Sequence, residues 1–246
     1  MTGPRWRTFA SRDDLAAELA ATVADYLRAA IGAKDSASLA VSGGTTPGKF
    51  FASLSRQQLD WTKVVVTLVD ERFVPPSSER SNERLVREKL LQNEARLARF
   101  LPLAPREAAP SPSRGEGSFA PDAVEAAARS AEAGIALLGA RLDVVVLGMG
   151  NDGHTASFFP DAPNLEALTD QSQGRSVMGV QASSAGEPRL TLTMPLLAGA
   201  GRLALHIEGD AKKEALEAAL TQTSPRLPIA RVFDAAAMPI DTYWAP

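Results

Sequence analysis

The sequence contains only two histidines, and their surroundings differ. His154 lies in LGMGNDGHTASFFP (147–160), behind a run of glycines and two residues after Asp152. Histidine exchanges protons near neutral pH, so one in a glycine loop beside an aspartate is a natural general base. A histidine that only caps a helix or stabilises the loop is the alternative. His206 lies inside the apolar run LALHI and is expected to face a neighbour as a structural residue.

The same segment contains GMGNDG, the glycine pattern of a dinucleotide-binding turn. Such a turn launches a long helix, and an acidic residue ends the strand that follows. Here Pro160 and Pro163 interrupt any long helix, and no acidic residue clearly ends a following strand. We therefore expect a tight loop that presents the aspartate and the histidine at the carboxyl edge of a sheet. Three glycines would permit that loop: Gly148, Gly150 and Gly153.

A second glycine turn, in LAVSGGTTPGKFF (39–51), runs from an apolar strand into Pro47 and an expected helix. Proline suits the first helical position, and free N–H groups together with the helix dipole favour a bound anion. The residues expected to hold a phosphate are Ser42, Gly43, Gly44, Thr45 and Thr46. A capped turn without a ligand is the alternative. Lys49 lacks the glycine spacing of a nucleotide phosphate loop, so ATP or GTP chemistry is not expected.

Charged residues stand at further positions where a ligand could bind. The apolar run VVVTLV ends in three of them: Asp70, Glu71 and Arg72. Open α/β sheets bind ligands at the carboxyl ends of strands, although a solvated turn is the alternative. Arg189 opens the strand RLTLTMP, and Lys212 follows Gly209 at the start of a helix. An arginine fork and a lysine can together clamp a phosphate, although both side chains are more often simply exposed.

Hydrophobic periodicity predicts strands at 38–41, 64–69, 142–147, 190–193 and 203–207. Helical patterns cover 12–31, 82–99, 121–139 and 211–220. Apolar strands that alternate with helices indicate an α/β fold with an open, mainly parallel, Rossmann-like sheet and helices on both faces. One domain is expected over 1–246. The segment 105–120 is rich in Pro, Ser and Gly and predicts a mobile surface loop, with a domain linker as the alternative.

The composition limits the kinds of binding partner, and the cellular compartment, that we expect for this protein. A net charge of -3 provides no basic field for nucleic acid or anionic membrane. The chain has no cysteine, which excludes a disulfide framework, a thiolate nucleophile and cysteine-ligated metal. Two histidines at distant sites make any metal centre unexpected. Without a signal-like N-terminus or a membrane-spanning run, a cytoplasmic protein is expected, and we expect it to be a monomer.

Six motifs occur together in the order found in 6-phosphogluconolactonases, a family that the chain resembles from about residue 39 to 232. They are SGGTTP (42–47), VDERFV (69–74), SN (81–82), LGMGNDGHTASFFP (147–160), PRLTLTMPLL (188–197) and GDAK (209–212). The DGHTAS element is highly specific. Departures are modest: Asn151 stands where the family often has Pro or Glu, and SSERS before Asn82 is less acidic than usual.

The resemblance implies the fold shared with glucosamine-6-phosphate deaminase and ribose-5-phosphate isomerase relatives. It also implies hydrolysis of 6-phospho-D-glucono-1,5-lactone in the pentose phosphate pathway, with no metal or organic cofactor. The expected catalytic residues are His154, Arg72, Asp70 and Asp152, where either aspartate could orient the histidine. The residues expected to bind substrate are Ser42, Gly43, Gly44, Thr45, Thr46, Asn82, Arg189 and Lys212.

Two other functions fit the same loops. A glucosamine-6-phosphate isomerase or deaminase shares them, but that family carries GHIAFNEP, with glutamate where this chain has Phe159 and tyrosine where it has Arg72. The second is a non-catalytic sugar-phosphate sensor. Such sensors usually carry a DNA-binding module, and this chain shows neither a separate N-terminal domain nor a basic stripe. The lactonase is therefore the preferred prediction.

Overall fold

The computed structural model describes residues 3–104 and 121–246, and the loop predicted at 105–120 lies outside them. The strands are β1 (Arg5–Thr8), β2 (Ala37–Val41), β3 (Val64–Leu68), β4 (Asp70–Arg72), β5 (Arg99–Phe100), β6 (Val144–Leu147), β7 (Val177–Val180), β8 (Arg189–Leu192), β9 (Arg202–Glu208) and β10 (Asp241–Ala245). The helices are α1 (Arg12–Lys34), α2 (Gly48–Leu54), α3 (Asn82–Lys89), α4 (Pro121–Ala136), α5 (Leu165–Thr169), α6 (Met194–Ala198), α7 (Asp210–Thr221) and α8 (Pro228–Ala235). Helices thus alternate with most of the strands.

The larger sheet has seven strands in the order β1-β10-β9-β6-β2-β3-β5, and every neighbouring pair is parallel. All residues of β2 and β6 are buried, so helices and loops cover both faces at the centre of the sheet. This arrangement confirms the predicted open, mainly parallel α/β sheet. The carboxyl ends of its central strands lie at one edge, where the loops predicted to bind and react follow them.

A second sheet of three antiparallel strands, in the order β4-β8-β7, corrects one prediction. The strand expected at 190–193 belongs here and not to the parallel sheet. The chain changes sheets at Val69, whose N–H donates to Val41 O and whose carbonyl accepts from Leu192 N–H. Asp70 and the two residues after it therefore form a strand of their own instead of ending β3.

Helix boundaries follow local caps and tertiary contacts. Ser11 caps α1 by accepting a hydrogen bond from Asp14 N–H at 3.1 Å, and that helix closely matches its prediction. The helix predicted at 82–99 is too long, because α3 ends ten residues earlier. Asn93 takes a positive φ of 47° and donates to Ser55 Oγ at 2.9 Å, which turns the chain into β5. Tertiary contacts thus override a continuous helical pattern.

The apolar core lies between the parallel sheet and the helices that pack on it. Helix α1 buries Leu15, Leu19 and Leu27 on the side that contacts the sheet and α2. From α2, Phe50 and Phe51 are fully buried beside the turn predicted to bind phosphate. A close-packed base of this kind resists deformation, so it holds the loops at the sheet edge in fixed positions.

Candidate active site

A cavity of about 200 Å³ opens at the carboxyl edge of the parallel sheet. The predicted site residues that line it are Ser42, Gly43, Gly44, Thr45, Thr46, Asp70, Arg72, Asn82, His154, Arg189 and Lys212. Asp152 joins them by its hydrogen bond to the histidine. Residues that are far apart in the sequence therefore share one small cavity, as the predictions of a single site require.

The glycine turn after β2 is fitted closely to its neighbours. Ser42 Oγ accepts a hydrogen bond from Gly148 N–H at 2.9 Å, which joins this turn to the histidine loop. A Cβ atom on Gly43 would lie 2.0 Å from Asn82 Oδ1, so only glycine fits there. Gly44 has a φ of +90°, a conformation that side chains other than glycine rarely adopt. Glycine is therefore required at these two positions for different reasons: Gly43 for lack of space and Gly44 for its backbone conformation.

Lys212 brings a cation to this turn from the first turn of α7. Its Nζ donates to Thr46 Oγ1 at 3.1 Å. Burial lowers the pKa of Lys212, and the nearby Glu208 carboxylate opposes that change. A half-buried ammonium bonded to the Thr46 hydroxyl, beside a glycine turn that lines the same cavity, is suited to a doubly charged phosphate.

His154 is held on three sides. Its Nδ1 lies 2.6 Å from Asp152 Oδ1, and its ring stacks on Phe159 with 4.7 Å between the ring centroids. A Cβ atom on Gly150 would lie 2.2 Å from the imidazole Cε1, so that glycine makes room for the ring. The hydrogen bond to His154 is the largest influence on Asp152 and lowers the pKa of that carboxyl group. The histidine ring is one-third exposed and accessible to a ligand.

Asp70 contacts other partners. Its Oδ2 accepts a hydrogen bond from Ser157 Oγ at 2.7 Å and lies 3.8 Å from Arg189 Nη1. The guanidinium of Arg189 also lies 5.5 Å from the centre of the Phe159 ring. Asp152 is therefore the aspartate that contacts His154, and Asp70 pairs with Arg189, which also contacts Phe159. This geometry resolves which of the two aspartates touches the histidine.

Arg72 reaches the cavity from β4. Its Nη1 donates to Arg80 O at 2.5 Å and lies 3.4 Å from Asn82 Oδ1. Asn82 is buried, and its Nδ2 donates to Asp70 O at 2.9 Å. These bonds leave the other amino group of Arg72 able to face a ligand, while Asn82 fixes the turn that carries the arginine.

Glu71 was not predicted as a site residue, and the structure gives it a supporting position. Its buried carboxylate accepts hydrogen bonds from Arg72 N–H, Ser81 Oγ, Asn82 N–H and Glu83 N–H, at 2.7 to 3.0 Å. It therefore caps the start of α3 from an adjacent strand. Burial raises the pKa of Glu71 to about 7, and the four hydrogen bonds act in the opposite direction.

The structure adds two residues around the cavity. His206 contacts a neighbour, as predicted, with Nε2 3.1 Å from Glu208 Oε1, and its ring also lines the cavity. Glu187 was missed, although it is buried against three arginines, of which Arg72 and Arg189 line the cavity. Its place two residues before Arg189 was the available signal, because antiparallel pairing brings that end of β8 to β4.

Residues 3–104 and 121–246 contain no group of three or more His, Asp or Glu side chains arranged to hold a metal ion. In the same part of the chain, no helix is both long and apolar enough to cross a membrane.

Comparison with known proteins agrees with this geometry. The family described as glucosamine-6-phosphate isomerases/6-phosphogluconolactonase matches residues 10–244. The 6-phosphogluconolactonase of Mesorhizobium japonicum is 52% identical over 98% of this chain and 95% of its own length, and that of Rhizobium meliloti is 51% identical over 97% of each. A crystal structure of a 6-phosphogluconolactonase from Shewanella baltica superimposes with a TM-score of 0.88 at 35% identity, covering 99% of this chain and 98% of that one. The chain therefore belongs to the glucosamine-6-phosphate isomerase and 6-phosphogluconolactonase family.

Proposed function

We propose that this protein is a 6-phosphogluconolactonase, which hydrolyses 6-phospho-D-glucono-1,5-lactone to 6-phospho-D-gluconate in the oxidative pentose phosphate pathway. The named relatives support the reaction, because two of them share about half of their residues with this chain over nearly its whole length. The observation that carries the proposal is structural. The His154–Asp152 pair and the Thr46–Lys212 contact open on the same cavity, so one ligand could meet a base and a phosphate site together.

The substrate would be held first by its phosphate. Lys212 supplies a charge and the turn at 42–46 supplies hydroxyl and backbone donors. Binding energy from this remote group would then orient the lactone carbon, which is how a non-reacting group contributes to the rate. The sequence predicts Arg189 in the same phosphate clamp. Its contacts with Asp70 and Phe159 support a position at the lactone end instead.

The chemical step needs one water molecule and one base. His154 Nε2 would take a proton from the water as its oxygen bonds to the lactone carbonyl carbon. Asp152 accepts the Nδ1–H, so it fixes the tautomer that leaves Nε2 free and stabilises the imidazolium that forms. When the bond between the carbonyl carbon and the ring oxygen breaks, the imidazolium would return its proton to that oxygen. The new carboxylic acid then loses its proton to solvent.

Negative charge develops on the carbonyl oxygen as water attacks. Arg72 lines the cavity from the small sheet, where its backbone and Nη1 are already hydrogen-bonded, so it can stabilise that charge without reorganising. A lactone is an activated ester, and attack by water needs no covalent enzyme nucleophile. The chain has no cysteine, and the sequence contains no G-x-S-x-G elbow, in accord with direct hydrolysis.

The isomerase and deaminase reactions are less well supported. The deaminase family places a glutamate for proton transfer where this chain has Phe159. The Phe159 ring stacks on His154 and contacts Arg189, so the position is filled by an apolar group. Both ends of the proposed site come from one chain, in accord with the single domain expected from the sequence.

The deciding experiment compares wild-type protein with His154→Ala on freshly generated 6-phosphogluconolactone at mildly acidic pH, where spontaneous opening is slow. We expect kcat to fall by roughly 10²- to 10⁴-fold, the range for loss of a general base, with KM little changed. His206→Ala serves as the matched control for removing an imidazole from the cavity wall. Circular dichroism and thermal unfolding would confirm that each variant is folded.

Three outcomes would count against the proposal. Undiminished turnover by the His154 variant would remove that histidine from the mechanism. No acceleration by the wild type would overturn the lactonase function and direct attention to deamination of glucosamine 6-phosphate. Tight sugar-phosphate binding with neither reaction would favour the sensor.

A further inference from the structure

Glu187 is a buried carboxylate that holds three arginines. Its side chain is only 8% exposed, and its Oε1 lies 3.5 Å from both Arg72 Nε and Arg189 Nη2. Its Oε2 pairs with Arg80 Nη2. Because Arg72 and Arg189 both line the cavity, Glu187 controls the charge of the cavity wall without being one of the groups predicted to react.

The need for such a carboxylate follows from strand pairing. Arg72 on β4 stands directly opposite Arg189 on β8 in the antiparallel register. Directly paired residues share one face of a sheet, and like charges in that position repel each other. Burial is the main cause that lowers the pKa of Arg189, and the charge of Arg72 adds to that lowering while Asp70 and Glu187 oppose it. The two arginines are therefore kept side by side by carboxylates behind them.

The contacts of Glu187 are electrostatic and leave polar atoms unused. In the cluster of Glu187 with Arg72 and Arg189, three buried side-chain atoms make no hydrogen bond: Arg72 Nε, Glu187 Oε1 and Arg189 Nε. At 3.5 Å the carboxylate neutralises charge without fixing each guanidinium in one bidentate geometry. Other hydrogen bonds hold the two guanidinium groups in place, from Arg72 Nη1 to Arg80 O and from Arg189 Nη2 to Ala185 O. The positive charge that Glu187 leaves on them makes a new anion in the cavity an attractive partner.

The reaction creates such an anion. The lactone has a neutral carbonyl, whereas the product has a carboxylate in the same place, so the charge beside the arginines becomes more negative by one unit during turnover. Two adjacent arginines without a counter-ion would bind this carboxylate much more tightly than the lactone that preceded it. A site arranged in that way would retain its product.

We propose that Glu187 is a charge-balancing residue that weakens the binding of the product carboxylate and so promotes product release. This inference rests on the proposed lactonase function. Its carboxylate neutralises part of the charge of Arg72 and Arg189 and repels the carboxylate formed by hydrolysis. It therefore acts through the two arginines and touches neither the water nor the lactone.

Isothermal titration calorimetry with two ligands tests this role. The probes are 6-phosphogluconate and sorbitol 6-phosphate, which share a phosphate and a polyol chain but differ in the carboxylate. For Glu187→Gln we expect the Kd of 6-phosphogluconate to fall about tenfold, and that of sorbitol 6-phosphate to change by less than about twofold. Steady-state product inhibition should strengthen by the same factor, and Glu187→Asp should restore wild-type selectivity.

Two further variants separate charge balance from a structural effect. Arg80→Ala removes an exposed arginine from Glu187 and leaves its carboxylate with less counter-charge, so 6-phosphogluconate should bind about threefold more weakly. This opposite sign keeps the test valid if Glu187→Gln does not fold. Glu132→Gln is the control, because it removes a carboxylate paired with Arg175 away from the cavity, and it should change neither Kd.

The outcomes are distinguishable from a failure of the proposed function. One outcome is that wild type hydrolyses the lactone, while Glu187→Gln binds 6-phosphogluconate and sorbitol 6-phosphate more tightly by the same factor. The proposed selective effect of Glu187 on the product carboxylate would then be wrong. Unchanged or weaker binding of 6-phosphogluconate by that variant, with wild-type binding in Arg80→Ala, would also overturn it. If wild type neither hydrolyses the lactone nor binds 6-phosphogluconate, the proposed function itself fails.

Discussion

The two ends of the cavity are built on different sheets. At the phosphate end, Thr46 and Lys212 come from elements that directly follow β2 and β9 of the parallel sheet. At the reacting end, Arg72 and Arg189 are paired across β4 and β8 of the small antiparallel sheet. The loop that carries His154 follows β6 and lies between these two regions.

The two ends also differ in how their charges are connected. Lys212 donates to a hydroxyl group and has a single carboxylate, Glu208, as its main charged influence. The arginines of the small sheet share carboxylates with one another, so each one depends on several neighbours. A substitution at the phosphate end should therefore have a local effect on binding, whereas one at the reacting end should alter the chemistry.

The largest effect on kcat in this comparison is expected for Asp152→Asn, which replaces the carboxylate that contacts His154 with a neutral amide. Loss of a buried aspartate from this role can reduce kcat by roughly 10⁴-fold, because the wrong tautomer is favoured. Asp152 is 46% exposed and solvent can replace part of its contribution. We expect kcat to fall about 10- to 100-fold and KM for the phosphorylated lactone to stay near the wild-type value.

Asp161→Asn is the matched control for that experiment. Asp161 also lies on the loop after β6, but its carboxylate accepts hydrogen bonds from Ser184 and not from the histidine. The kcat of Asp161→Asn should equal that of the wild type. If Asp152→Asn kept full kcat, the orienting role would belong to another group, and the clear division between a charged reacting end and a binding end would be lost.

An effect of similar size, on KM instead of kcat, is expected at the other end, for Lys212→Ala. Removing the ammonium deletes a charge-assisted contact with the phosphate, which corresponds to about a 10- to 100-fold rise in KM for the phosphorylated lactone. Hydrolysis of unphosphorylated glucono-1,5-lactone should be unchanged, because that substrate lacks the phosphate that Lys212 would bind. Steady-state kinetics on the two lactones measures this difference directly.

Lys213→Ala gives the control, since Lys213 is the adjacent lysine on α7 and its Nζ lies 4.4 Å from the centre of the Trp244 ring. It removes the same charge from the same helix turn without touching the phosphate site. Equal losses for both lactones in Lys212→Ala would mean that the lysine supports the fold of the site instead of holding the phosphate.

The same division separates what the sequence could predict from what it could not. The phosphate turn and the histidine loop are local features, in which a buried strand, glycines and a polar residue follow one another within a dozen positions. The small sheet depends on pairing Asp70 with Thr191, which no local pattern encodes. For that reason the strand containing Arg189 was assigned to the wrong sheet, and Glu187 was missed.

A buried contact also explains one smaller error. His206 does contact a neighbour, Glu208, as its apolar surroundings on β9 predict, and the position of β9 beside β6 adds that its ring lines the cavity. The sequence pattern after α3 predicts that the helix continues. In the structure, the carbonyl oxygen of Ser55 accepts hydrogen bonds from Glu94 N–H and Ala95 N–H, and these bonds hold the segment in another conformation. Each error arose where a contact distant in sequence decided the structure.

The smallest effect on turnover is expected for Glu71→Gln. Its main expected effect is on the free energy of unfolding, because Glu71 holds the start of α3 beside Arg72. The pKa of Glu71 rises from 4.5 to about 7 on folding because the carboxyl group is buried. A carboxyl group with a raised pKa contributes stability that is fully present below pH 4.5 and is lost as the pH rises through about 7. Urea unfolding at pH 5 and pH 8 should therefore show the advantage of wild type over Glu71→Gln shrinking, by up to about 3 kcal/mol.

Glu88→Gln controls for a general effect of charge on α3, because Glu88 is half exposed and pairs only with Arg84 on the helix surface. The difference between wild type and that variant should be nearly constant over the same pH range. If the advantage of wild type over Glu71→Gln instead grew with pH, the four hydrogen bonds would outweigh burial and keep Glu71 ionised. The cap of α3 would then be a fixed negative charge, and Arg72 would have a further permanent anion beside it at the reacting end.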